Sequence, residues 1–129
     1  MGVGLVAGVV SGAPSTAIAI VSGRPVLEAA RAAGAVLGRP TLPRGLLAHA
    51  AISAGWGVVL TTVLAGRRYP IAMGAATGAG IAALDLGLIG RRIPAICQLP
   101  LLPQVADHLA YGAAVGICLR LTSGDNLSP

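Results

Sequence analysis

The sequence predicts an all-α polytopic membrane protein, a bundle of four transmembrane helices. Three observations carry this. Hydrophobic residues make up 55% of the 129 residues and charged residues only 10%, where soluble domains carry about 25% charged residues. Mean hydropathy is +0.83. The apolar residues gather into four stretches of about 20 residues each, the length a helix needs to cross the hydrocarbon core. A soluble fold of this size exposes too much surface for so few charges.

The first stretch, residues 2–22, holds no charge. Pro14 lies inside it, removes a backbone donor and predicts a bend. Ala17-Ile18-Ala19 resembles a signal-peptide cleavage site. No basic region precedes it, however, and the apolar run outlasts a signal-peptide core, so it reads as a span. Residues 45–66 form the second stretch, with His49 inside. The third, 69–90, is interrupted by Asp85, and the fourth, 104–122, contains Asp107, His108 and Arg120. Backbone groups in lipid have to pair within the segment, so stretches this long read as helices. A barrel would need alternating segments of roughly ten residues, and none occurs. Residues 1–129 thus form a single membrane domain.

The longest connection joins the first two spans. Pro25 suits a first helical turn. Val26, Leu27, Ala30, Ala33 and Leu37 share a face away from Glu28 and Arg31. This predicts a short interfacial helix over 25–38, with a plain loop as the alternative. With four spans, connections one and three share a side and hold six arginines: Arg24, Arg31, Arg39, Arg44, Arg91 and Arg92. The other side holds three, Arg67, Arg68 and Arg120. The positive-inside rule then puts the first set in the cytoplasm and both termini outside.

Several function classes fall away. The net charge is +5 and every basic residue is Arg, but the arginines fall between apolar runs and form no stripe. The aromatics are only Trp56, Tyr69 and Tyr111, so no nucleic-acid partner is expected. Cys97 and Cys118 make no Cys-x-x-Cys pair and read as small buried hydrophobes. Glycine strings beginning at Gly2 and Gly78 match a dinucleotide fingerprint in form, but lack the strand and acidic residue it requires. No nucleophile elbow, phosphate-binding loop or zinc-protease motif occurs. The hydroxyls of Ser11, Ser15, Thr16, Ser53, Thr61, Thr62 and Thr77 lie in spans, where they bond preceding carbonyls. Enzymatic activity, a cofactor and a resident metal are therefore not expected.

Glycines recur at four-residue spacing: Gly4, Gly8 and Gly12; Gly74 and Gly78; Gly112 and Gly116. That spacing lines them on one helix face, where two backbones approach closely. Packing within the bundle is the first reading. A homo-oligomer or a larger membrane complex is the second, beside the lipid bilayer itself as partner.

The residues carrying chemistry are His49, Asp85, Asp107 and His108. Ionisable groups in spans are costly and tend to face the bundle interior. His49 lies five residues after Arg44, Asp85 six before Arg91, and Asp107 four after Pro103. At 1.5 Å per residue these are depths of ~6–9 Å from the same face of the membrane. The four groups can therefore form one polar layer. The plainer alternative is a set of interfacial groups wetted by headgroup water, with Asp107 capping the last helix.

Leu42-Pro43 is followed by His49, Gly57 and Leu60, and Leu102-Pro103 by His108, Gly116 and Leu119. The His-to-Gly step is eight residues in both, which suggests a duplicated two-helix unit of the kind seen in transporters. Ala7-Gly8 with Pro14-Ser15-Thr16, Leu47-Ala48-His49, and Asp107-His108-Leu109-Ala110-Tyr111-Gly112 together resemble a group of small four-helix bacterial membrane proteins common in actinobacteria. The resemblance implies a fold and a compartment, the bacterial cytoplasmic membrane, and no activity. Heavy use of Ala, Gly and Arg, with no Lys or Phe, suits a GC-rich genome. Small multidrug exporters carry an acid in the first span and fluoride channels use Phe-bearing motifs; this chain has neither. The expected function is that of a non-enzymatic accessory or structural membrane protein. The alternative is a small transporter or proton-coupled carrier using the His/Asp layer. Convergence of the four side chains favours the carrier, and divergence towards headgroups favours the accessory protein.

Overall fold

The computed structural model describes residues 2–124, which are all-helical, with no strand among them. Three helices are long and apolar enough to cross a membrane: Gly2–Val21, Leu42–Leu64 and Pro70–Arg92. A fourth long helix, Leu101–Gly124, matches them in length but is the least apolar.

The first long helix comes in two pieces, α1 (Gly2–Ser11) and α2 (Ala13–Val21), divided at Gly12. Pro14 occupies the first turn of α2. It has no N–H and its ring crowds the carbonyl four residues back, so the ladder breaks there. The Ser11 and Ser15 hydroxyls donate to the Gly8 and Gly12 carbonyls at 2.9 and 3.2 Å. Hydroxyls thus bond backbone carbonyls on either side of the break.

The connection that follows holds α3 (Glu28–Ala33) and a 3-10 turn, Gly34–Leu37. The helix starts at Glu28, later than Pro25. It buries Ala32 and Gly34, while Val26, Leu27 and Leu37 stay exposed. Backbone contact explains the difference. A Cβ on Gly45 would strike the Ala30 carbonyl, and one on Gly34 would strike the carbonyls of Thr41 and Arg39. So α3 rests backbone to backbone on the start of α4 (Leu42–Leu64). A 2.9 Å ion pair, Arg24 to Glu28, ties the end of the first long helix to α3. Being half-exposed, it contributes at most about 1 kcal/mol.

Gly66, at φ +68°, takes the left-handed conformation that ends a helix and turns the chain into α5 (Pro70–Leu84). This helix continues as a π turn, Asp85–Ile89, and a 3-10 turn, Gly90–Arg92. One turn of helix, α6 (Pro94–Cys97), leads to α7 (Leu101–Gly124).

The most extensive pairing is α5 with α7; α1 lies on both α4 and α7, and α2 also touches α7. The core draws from all four long helices: Ala7, Leu60, Leu64, Ile81, Tyr111 and Val115. Outward faces are apolar as well, with Val9, Val21 and Leu102 each more than three-quarters exposed, an arrangement that water would penalise and lipid would not. Glycines set the helix spacing. A Cβ on Gly4 would meet Gly57 and Ser53, and one on Gly8 would meet Ser53. Gly74 and Gly112 press on each other, Gly78 on the His108 carbonyl, and Gly116 on Pro70 and Ile71. Gly12 has nothing within 4 Å, because it falls in the break between α1 and α2 and takes no part in a packed face.

Candidate functional site

His49, Asp85, Asp107 and His108 lie in the half of the bundle that holds the ends of α2 and α5 and the starts of α4 and α7. Asp85 is the first residue of the π turn. That turn carries one more residue per hydrogen-bonded ring than an α-helix, which re-aims the side chain that opens it. Asp85 Oδ2 comes to 3.5 Å from His108 Nε2, and both side chains are about three-quarters buried. On its other side, His108 Nδ1 is 2.8 Å from the carbonyl of Gln104, one turn earlier. A carbonyl only accepts, so Nδ1 carries the hydrogen. In a neutral imidazole, Nε2 is then a bare lone pair facing a carboxyl oxygen. Two lone pairs at that distance repel unless a proton lies between them. The contact is an ion pair when the imidazole is protonated and the carboxyl is not.

Asp107, next to His108 in sequence, turns instead towards the kink. Its Oδ1 accepts a 2.9 Å hydrogen bond from the backbone N–H of Ser15. Gly12, at the N-cap position of α2, offers no side-chain cap. Asp107 takes that role from another helix and places its charge at the positive end of α2. It caps α2 and not its own helix. It lies within electrostatic reach of both His108 and His49.

His49 donates from Nε2 to the Gly8 carbonyl at 2.9 Å, which also receives the Ser11 hydroxyl. Its ring is otherwise exposed on the outside of α4. The structure therefore brings Asp85 and His108 into contact, sets Asp107 beside them on a backbone group, and leaves His49 at the edge. Among the described residues, no three His, Cys, Asp or Glu side chains gather in a group that could hold a metal.

One end of this layer is closed. The Tyr111 hydroxyl donates to the backbone carbonyl of Ser53, and Tyr111, Val115, Leu60 and Ile81 pack into the core beyond it. The partners missed by sequence reasoning are all backbone groups: Ser15 N–H, and the Gly8, Gln104 and Ser53 carbonyls. Of these only Gln104 carried a signal, lying one helical turn before His108. Compared with protein-family models, curated proteins and solved structures, the chain matches none.

Proposed function

We propose that this is a non-enzymatic, four-span protein of the bacterial cytoplasmic membrane that works as a small proton-coupled carrier, with the Asp85–His108 pair taking up and releasing the proton. The observation that carries the reading is the position of the pair. A carboxyl and an imidazole face each other at 3.5 Å at the mouth of a π turn, within an apolar bundle. Buried ionisable groups in membrane helices mark ion and proton paths, and histidine exchanges protons near neutral pH. The fourth span is α7. Its lower apolarity fits a helix that touches α1, α2, α4 and α5 and so meets less lipid than they do. The bacterial compartment rests on the resemblance and the composition.

A second reading, an accessory subunit, is favoured by Asp107 and His49. Both serve backbone groups, which is a structural task. Nitrogen-15 NMR of the histidine side chains, over about pH 5 to 8, separates the two. In the carrier the His108 nitrogens change protonation within this range and sense the carboxylate of Asp85. Asp85→Asn then alters the His108 titration, while His49→Gln leaves it alone. Identical His108 curves in wild type and Asp85→Asn would remove the proton pair and leave the accessory reading.

A further inference from the structure

A cleft of about 460 Å³ opens where α5, α6 and α7 diverge, within the range of small-molecule sites. Its α5 wall is made of small residues, Ala79, Ala83 and Gly87, and its opposite wall includes Leu101 and Val105. The π turn and the single turn of α6 hold the helices apart here, whereas Gly74, Gly78 and Gly112 close them further along. Gln104 also lines the cleft, its amide held on the Leu99 and Pro100 carbonyls at 3.4 and 3.3 Å.

Arg91 stands on the rim of this apolar slot. Arg24 has Glu28, Arg44 the Leu37 carbonyl and Arg67 the Val63 carbonyl. Arg91 makes no hydrogen bond or ion pair among the described residues, and is exposed beside Arg92. An apolar slot at membrane depth with an unpartnered guanidinium at its rim is complementary to an acyl chain ending in an anionic head. Arginine matches phosphate oxygens in bidentate fashion, and basic pockets between membrane helices recruit anionic lipid. We infer that the cleft binds one anionic phospholipid, with an acyl chain along Ala79, Ala83 and Gly87 and the phosphate on Arg91. The inference rests on the four-span reading of the fold and is independent of the proton pair.

The test uses the full chain purified in neutral detergent, with bound lipid counted by native mass spectrometry. The probes are phosphatidylglycerol, phosphatidylcholine with matched chains, and oleate. Wild type should retain phosphatidylglycerol in preference to phosphatidylcholine. Arg91→Gln should weaken that preference about fivefold, the factor expected for one arginine near an anionic headgroup. A Cβ at Gly87 meets nothing within 4 Å, so Gly87→Leu starts from open space and extends into the slot, and should reduce binding of both phospholipids. Equal retention of the two lipids by wild type, an undiminished preference in Arg91→Gln, or unchanged binding in Gly87→Leu each overturns the site. Oleate displacing phosphatidylglycerol at equal concentration would overturn the phosphate assignment.

Discussion

At the scale of single residues, the polar groups divide by what they serve. Asp85 and His108 serve each other, whereas Asp107 and His49 serve the interrupted first helix. Asp107 is the clearest case, because the donor it satisfies lies 92 residues away in sequence. Removing a partner leaves a donor unsatisfied, at about 1–3 kcal/mol. Asp107→Ala should therefore lower thermal stability in detergent. Asp107→Asn, which keeps an acceptor oxygen, should lose less. Equal losses from the two variants would mean that the Ser15 contact contributes nothing. Little of this detail was legible in the sequence. The shared depth of the four residues could be counted from flanking Arg and Pro positions, but depth does not fix the direction in which a side chain points. The exposed ring of His49 depends on how α4 is rotated, and its neighbours set that rotation.

Among the helices, the sequence was most informative where a residue acts on its own backbone. Pro14 predicted a bend, and the helix is interrupted at Gly12, two residues before it. Threonines in spans were expected to bond preceding carbonyls, and Thr61, Thr62 and Thr77 do so. Four-residue glycine spacing named faces, but could not say which face meets which helix. The π turn gave no advance sign, since Asp85-Leu86-Gly87-Leu88-Ile89 reads as ordinary helix in any local pattern. The glycine contacts lead to a direct comparison. Gly116→Leu forces a side chain into the backbone of Pro70 and Ile71, and overpacking of this kind typically costs about 1–3 kcal/mol. Gly80 has nothing within 4 Å, so Gly80→Leu should leave the melting temperature in detergent nearly unchanged. Equal effects from the two would show that the α5–α7 contact is not held by its glycines.

For the molecule as a whole, the four-span reading fixes sidedness. Reporter fusions after Ser22 and Gln98 should lie on one side of the membrane, and fusions after Gly66 and at the end of α7 on the other. A reporter at the end of α7 that shares the side of Gln98 would leave three crossings and a helix folded back against them. The central position of α7 also bears on how such a protein is made. Helices emerge from the ribosome in order, and α7 is the last of the four and the one that oil alone attracts least. Its packing surfaces belong to α1, α2, α4 and α5, and its half-buried Asp107 carboxylate finds its partner on the kinked first helix. On the four-span reading, these neighbours are already in the bilayer by the time α7 is synthesised. Its insertion is then a templated step, driven by a waiting groove and a waiting donor as much as by its own apolar residues.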